Sequence, residues 1–314
     1  MRACLVTGGA GFIGSHIAAA LVARGDRVRI ADNLSTGYHH NLEAIGGGVE
    51  FLEGDLADPA FAARAAEGMD LVFHQAAIPS VPRSVKDPAT SNRANIDASL
   101  NVLIAARDAG ARRVVYAGSS SAYGDTPTLP KREDMPANPL SPYALQKYVA
   151  EQYCSLFTRL YGLETVTIRY FNVFGPRQDP SSAYSGVISQ FAKALTERRS
   201  PTIYGDGGQT RDFTYIDNVV DGVLRASEAP AAGGEVINVA TGGRISLLEL
   251  FEEMKRITGA DVDPVFVEVR AGDVRDSQAD ISKAKRLLGY EPIVSFEQGL
   301  ARTIAWYRAS MPPH

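Results

Sequence analysis

The chain has 314 residues, 45% hydrophobic and 22% charged, with a formal net charge of −4 and a pI near 5.8. That is an ordinary globular composition, long enough for one large or two modest cores, and its weakly acidic balance leaves no basic footprint for nucleic acid or an anionic membrane. Two cysteines, Cys4 and Cys154, form neither a disulfide framework nor a metal-ligand spacing, no apolar run approaches the roughly 18 residues that span a bilayer, and the first residues do not have the shape of a signal peptide, so a cytoplasmic protein without a metal is expected.

Ala3-Cys4-Leu5-Val6 reads as a buried parallel strand, and Ile13, Ile17, Ala20 and Leu21 recur at helical spacing. The glycines between them therefore occupy a strand-to-helix turn. Gly8 suits a tight turn, Gly11 lets backbone approach a pyrophosphate, and Gly14 lets the helix pack on the strand with its N–H groups toward the anion. The pattern predicts a dinucleotide site. A second apolar run, Val28 to Ala31, ends in Asp32, 18 residues after Gly14, where a carboxylate accepts hydrogen bonds from the adenosine ribose and repels a 2′-phosphate. NAD is favoured over NADP.

Asn33 to Gly48 is polar and glycine-rich, a loop with at most a short helix, and Val49 to Leu56 reads as a third strand. Asp55 is placed either to meet the adenine edge or to cap the helix predicted over Pro59 to Glu67. Leu71 to Ala77 is a fourth strand running into small residues that let a cofactor pass close, and His74 within it reads as a packed structural residue. Prolines 79, 82 and 88 mark Ser80 to Pro88 as a loop before a long helix from Ala89 to Ala109. On that helix Asn95 shares a side with Asn92 and Ser99, either as a polar contact to the cofactor or as a solvated face.

Arg112 to Gly118 is the fifth strand, and it delivers Ser119-Ser120-Ser121 to the carboxyl edge of the sheet, where open α/β sheets bind ligands. Ser141-Pro142-Tyr143-Ala144-Leu145-Gln146-Lys147 then opens a helix through Tyr161 with Tyr143 and Lys147 on one face. A tyrosine with a pKa of about 10 is a poor base, but a lysine ammonium and a nicotinium ring would stabilise its phenolate. From Arg169 onward the pattern turns to shorter pieces, with a strand at Glu235 to Val239, a helix at Ser246 to Thr258 and a last helix at Phe296 to Arg308 completing a smaller α/β domain. The expected fold is α/β, a doubly wound Rossmann parallel sheet over residues 1–170 with a smaller C-terminal substrate domain over 171–314, segments of the two interleaving.

These motifs resemble the extended short-chain dehydrogenases/reductases, and among them the UDP-hexose 4-epimerases, over nearly the whole chain. They are Thr7 to Gly14, Asp32-Asn33-Leu34, Gly54-Asp55-Leu56, His74-Gln75-Ala76-Ala77, the serine run before Tyr123-Gly124, Tyr143 to Lys147, Arg169-Tyr170-Phe171-Asn172 and Arg211-Asp212-Phe213. The resemblance implies an NAD held by Gly8, Gly11, Phe12, Ile13, Gly14, Asp32, Asn33, Ser35, Thr36, Gly37, Asp55, Leu56, Gln75, Ala76, Ala77, Asn95 and Phe171, together with a catalytic triad of Ser119, Tyr143 and Lys147 that also touches the cofactor. The family's triad hydroxyl stands four residues before the tyrosine of the Tyr-Gly pair, which selects Ser119 and leaves Ser120 and Ser121 at substrate-lining positions.

The resemblance further implies that Asn172, Gly186, Val187, Thr202, Tyr204, Arg211, Arg270 and Asp273 enclose the UDP-sugar, and that Ser277 walls the hexose. A serine there leaves room for an acetamido group, so UDP-N-acetylglucosamine and UDP-N-acetylgalactosamine are expected substrates beside UDP-glucose and UDP-galactose. It also implies a homodimer in which the helices around Asn95 to Ala109 and Tyr143 to Tyr161 form a four-helix bundle with their partners. The family's dehydratases and decarboxylases carry an acidic residue in the serine segment, and this chain has none. A UDP-glucuronate 4-epimerase or another sugar-nucleotide enzyme is the near rival. From another class, a non-catalytic NAD-binding sensor or scaffold is opposed by the intact Ser119, Tyr143 and Lys147, since a sensor needs no phenolate.

Overall fold

The computed structural model describes residues 1–179, 186–269 and 274–310. Seven parallel strands form one sheet: β1 (Ala3–Thr7), β2 (Arg27–Asp32), β3 (Val49–Glu53), β4 (Leu71–His74), β5 (Arg113–Ser119), β6 (Glu164–Tyr170) and β7 (Val236–Val239). Their spatial order is β7-β6-β5-β4-β1-β2-β3. The chain thus runs from β1 to one edge, crosses back to β4 and runs to the other, and the reversal opens a crevice at the carboxyl ends of β1 and β4. Both faces of the inner strands are buried, and side chains alternate between them. Cys4, Val6, Phe73 and Val115 enter one core, while Leu5, Val72, Val114 and Tyr116 enter the other.

Besides a short helix at His39–Glu43, the described helices are α1 (Phe12–Ala23), α2 (Pro59–Ala66), α3 (Val81–Lys86), α4 (Pro88–Asn92), α5 (Ala98–Asp108), α6 (Pro142–Tyr161), α7 (Val187–Thr196), α8 (Ile216–Glu228), α9 (Leu247–Thr258), α10 (Ser282–Leu288) and α11 (Phe296–Ser310). Ile17 and Leu21 of α1 and Val219 and Val223 of α8 cover the Val6 face, whereas Phe61 of α2, Val102 of α5 and Cys154 of α6 cover the Leu5 face. The fully buried Arg113 ties α8 to the sheet: its guanidinium donates to Glu164 and to the carbonyls of Ala226 and Ala229. Burial of such a group is tolerable only with its donors engaged.

Beyond the sheet, α7, α9 and α11 pack together through Phe191, Phe251 and Ile304, continuous with the Val6 core. Buried Asp212 accepts hydrogen bonds from Thr241 N and Oγ1, Gly242 N and Ala279 N, gathering three loops around one carboxylate. No described helix is long and apolar enough to cross a membrane.

The structure departs from the sequence reading at four places. The segment expected as a loop between Ser80 and Pro88 contains α3, capped by Ser80 Oγ accepting from Arg83 N; Pro82 falls in its first turn, where a missing N–H costs nothing. The single long helix expected from Ala89 is α4, a π turn at Arg93–Asp97, and α5. Val236–Val239, assigned to the smaller domain, pairs with β6 and extends the large sheet. Finally, α7, α8 and α10 went unread, although Ile188, Phe191, Ala192 and Leu195 do carry a helical period.

Candidate active site

The turn after β1 is built for a close approach. Gly8 has a φ of +67°, and a Cβ on it would lie 2.7 Å from Ala76 Cα, so the ends of β1 and β4 meet without side chains between them. A Cβ on Gly14 would come 2.2 Å from Gly8 O, whereas one on Gly11 would meet only that oxygen, at 3.2 Å. No side chain caps α1, which leaves the N–H groups of its first turn to an anion.

Beside this turn lies a cavity of about 280 Å³ walled by Gly8, Gly11, Phe12, Ile13, Gly14, Asp32, Asn33, Ser35, Thr36, Asp55, Leu56, Gln75, Ala76, Ala77, Tyr143 and Lys147. Asp32 accepts hydrogen bonds from Ala10 N at 3.0 Å and Leu34 N at 2.8 Å, which leaves further acceptor capacity on both oxygens. Gln75 Nε2 is buried without a partner while its Oε1 accepts from Tyr170. A bare helix terminus, a carboxylate in the wall and an unmatched buried donor all fit a dinucleotide, and the Asp32 carboxylate disfavours a 2′-phosphate.

A second cavity of about 690 Å³ shares Phe12, Ile13, Ser35, Thr36, Pro79, Gly118, Tyr143 and Tyr170 with the first. Ser119, Ser120, Ser121, Phe171, Asn172, Gly186, Arg211 and Ser277 also line it. Tyr143 thus stands where the two spaces meet. It is held there by its place in the first turn of α6, whose N-cap Ser141 accepts from Ala144 N, and by its own N–H donating to Ser84 Oγ at 3.0 Å. Ser119 closes β5, and its hydroxyl shares a 2.7 Å hydrogen bond with Ser121 Oγ.

Burial dominates the electrostatics. It pushes the Tyr143 phenol up, opposed by a hydrogen bond with Ser119, and it depresses the Lys147 ammonium to about 7, with Cys154 and Glu151 pulling the other way. The expectation that Lys147 keeps Tyr143 acidic is therefore not met by the protein's own groups. Lys147 instead lies 4.4 Å from the centre of the Tyr116 ring, a cation–π contact. His74 is buried between Thr7 Oγ1 and Ser99 Oγ and held neutral, its pKa lowered to about 3 by desolvation. It is a packed structural residue, as its strand context indicated.

Several expected site residues lie elsewhere. Gly37 is on neither wall; a Cβ there would strike Ala10 Cβ at 2.8 Å, so it seats the loop on the glycine turn. Asn95 is buried rather than solvated, and it binds Ile78 N and Gln146, fixing the loop that does line the cofactor cavity. Phe171 lines the larger cavity, not the cofactor one. Asp55 lines the cofactor cavity, and Asp58, not Asp55, caps α2. Val187, Thr202 and Tyr204 are on neither wall, and Arg270 and Asp273 fall outside the described residues. Unread in the sequence were Tyr170, Tyr38, Asp179 and Lys131. Tyr170 stood within the Arg169-to-Asn172 motif, and the others carry no spacing that singles them out.

A model of the NAD dependent epimerase/dehydratase family matches residues 4–240. The chain is 41% identical over 308 residues to a UDP-glucose 4-epimerase of Mycolicibacterium smegmatis, covering 97% of this chain and 98% of the relative. It superposes with a TM-score of 0.94 and 40% identity, over 99% of both chains, on the UDP-N-acetylglucosamine 4-epimerase from Methanobrevibacter ruminantium M1 in complex with UDP-N-acetylmuramic acid. With the UDP-glucose 4-epimerase of Thermus thermophilus in complex with NAD the TM-score is 0.90 at 36% identity, over 99% of this chain and 100% of that one.

Gly11→Ala separates the turn from the fold. Its Cβ projects toward the cavity with only Gly8 O at 3.2 Å, so the circular dichroism spectrum should be retained while NAD released per denatured chain drops; full NAD content would refute the placement.

The buried Lys147 gives a pH signature. Its folded pKa of about 7 lies below the unfolded value of about 10.4, so the unfolded chain binds more protons between them and stability contributed by this site rises with pH above about 7. Denaturation of NAD-stripped protein at pH 7 and 8.5 should show a gain in the wild type that Lys147→Met lacks. An equal gain in both would mean that Lys147 is not the group.

Proposed function

The chain belongs to the NAD-dependent epimerase/dehydratase family, and from that footing we infer that it is a UDP-hexose 4-epimerase, inverting C4 of the sugar reversibly. The observation that carries this reading is the position of Tyr143 at the junction of the cofactor cavity and the larger cavity, in hydrogen-bonding relation to Ser119. NAD, when bound, supplies a hydride acceptor and donor together with a positive ring charge that favours a phenolate. Tyr143 then takes the proton of the 4-hydroxyl and returns it when the ketone is reduced on its other face, while Ser119 orients that hydroxyl. Lys147 holds the cofactor ribose.

Between the two half-reactions the sugar has to turn about its diphosphate link, and the 690 Å³ cavity gives it space. Asn172, Gly186 and Arg211 line this cavity and are assigned to the UDP portion by resemblance, as are Arg270 and Asp273. Residues 171–314 would supply most of that substrate domain. Ser277 lines the cavity, with its backbone fixed by donation to Thr210 O at 3.0 Å, so its small side chain supports acceptance of N-acetylated hexoses. A homodimer through α5 and α6 is supported by Leu145, Leu156 and Leu160, exposed by 50%, 37% and 67% along α6. We take the setting to be cytoplasmic, with no part for nucleic acid or membrane.

Three outcomes test this reading. Tyr143→Phe should keep NAD bound while kcat falls by roughly 10² to 10⁴, the usual scale for loss of a general acid–base group; near wild-type turnover would sink the mechanism. Ser277→Tyr should abolish turnover of UDP-N-acetylglucosamine and leave that of UDP-glucose measurable, because the larger wall blocks the turning acetamido group. Equal loss on both sugars would remove Ser277 from the specificity argument. Light scattering at micromolar concentration should report a dimer, and a monomer would contradict the assembly.

A further inference from the structure

The ammonium of Lys147 is buried without an anion of its own. Lys147 is 4% exposed and lines the cofactor cavity, and its ammonium makes no hydrogen bond or ion pair among the described residues. The titratable groups around it are engaged or uncharged. Glu151, one turn further along α6, is held bidentately by Arg169 at 2.9 and 2.6 Å. Burial pushes the Cys154 thiol up to about 12 and raises the phenols of Tyr143 and Tyr116, so all three stay protonated. His74, on β4, is neutral, its pKa lowered to about 3.

What touches the ammonium is a ring. Lys147 Nζ lies over the face of Tyr116, 4.4 Å from its centroid, well inside the range in which an aromatic quadrupole attracts a cation. Tyr116 is fully buried in β5, three residues before Ser119, and its hydroxyl donates to Lys147 O at 3.4 Å. The strand that ends in Ser119 therefore also carries the surface on which Lys147 rests. An aromatic face attracts a cation without cancelling its charge, as a carboxylate would. It also leaves the ammonium's hydrogen-bonding capacity to acceptors in the cavity, such as ribose hydroxyls.

We propose that Tyr116 is a positioning residue for Lys147, its ring holding the ammonium at the cofactor cavity by a cation–π contact in place of an ion pair. The inference rests on the role given to Lys147 in the 4-epimerase reading and names the residue through which that role is kept. Tyr116 lines neither cavity and acts only through Lys147. Weakening the ring's attraction favours the neutral amine, which has one donor fewer and no charge with which to hold the ribose.

The test varies the charge on the ring face at nearly constant volume. In NAD-loaded enzyme, Tyr116→Phe is the reference, since it drops only the hydroxyl, and mono-, di- and trifluorophenylalanine at position 116 then weaken the face stepwise. NMR titration of carbon-13-labelled lysine reads Lys147 directly, its signal identified by its absence in Lys147→Met. The pH profile of kcat, on UDP-glucose or UDP-N-acetylglucosamine, reads its effect on turnover. The Lys147 pKa should fall along the series by about half to one unit in all, the scale of a desolvated cation–π contact. The alkaline limb of kcat, where Lys147 loses its proton, should move to lower pH by the same amount. A ring that only fills space would move neither. A Lys147 pKa constant along the series overturns the proposal, as does one that falls while the limb stays in place. No turnover of any UDP-hexose by the wild type overturns the epimerase reading instead, and the titration still decides the contact.

Discussion

A buried ion pair sets the register between the catalytic helix and the rest of the molecule. Arg169 of β6 holds Glu151 of α6 bidentately, at 2.9 and 2.6 Å, with side chains only 4% and 2% exposed. Glu151 follows Lys147 by four residues and Tyr143 by eight, so the three share the helix face that meets the sheet. The other side of the Arg169 guanidinium lies over the Tyr123 ring at 4.5 Å, and Tyr123 OH donates to Asn238, which in turn holds the carbonyls of Lys131 and Asp280. Desolvating two charges is costly, and removal of either partner alone would leave the other unpaired, at a cost of about 3–5 kcal/mol. What the pair secures is geometry: the helix bearing Tyr143 and Lys147, the serine-bearing end of β5 and the loop near Ser277 are connected by one chain of contacts.

The same burial explains why the active site is incomplete as a base without its cofactor. Tyr143 and Lys147 are both withdrawn from water, and desolvation disfavours the charged form of each. A phenolate becomes favourable only when a positive charge enters the same space. Coupling proton removal to the presence of the oxidised cofactor restrains the tyrosine from acting when no hydride acceptor is there. The larger cavity is bounded by Phe12 and Ile13, just after the glycine turn, and by Arg211 and Ser277, beside the loops that Asp212 gathers.

Much of this was legible in the sequence because the first half of the chain follows local rules. Glycine at Gly8, Gly11 and Gly14 is demanded by backbone approach, the strands are near-continuous apolar runs, and Tyr143 and Lys147 lie one helical turn apart; each is a short-range pattern. The prolines near α3 misled because proline punctuates loops and also opens helices, and only the Ser80 cap decides between them. Asn95 and Gly37, assigned to the cofactor by resemblance, also hold the loops of the cavity in place, a second role that depends on partners distant in sequence such as Gln146 and Ala10. The pairing of β7 with β6 was illegible for the same reason, since about sixty residues and two helices separate the strands. Lys131 has no motif at all, and its place in the larger cavity arises only from which side chains the fold leaves beside it.

The central claim is that C4 loses and regains the same hydrogen inside a closed site, with Tyr143 handling only the hydroxyl proton. A UDP-hexose deuterated at C4, turned over by the enzyme in ordinary water and analysed by mass spectrometry and NMR, measures this directly. Epimerised product that keeps the deuterium at C4, without mixing between labelled and unlabelled molecules in a crossover pool, is the expected result. Product that has exchanged the label for solvent hydrogen would contradict a hydride mechanism and with it the roles assigned to Tyr143, Ser119 and the cofactor cavity.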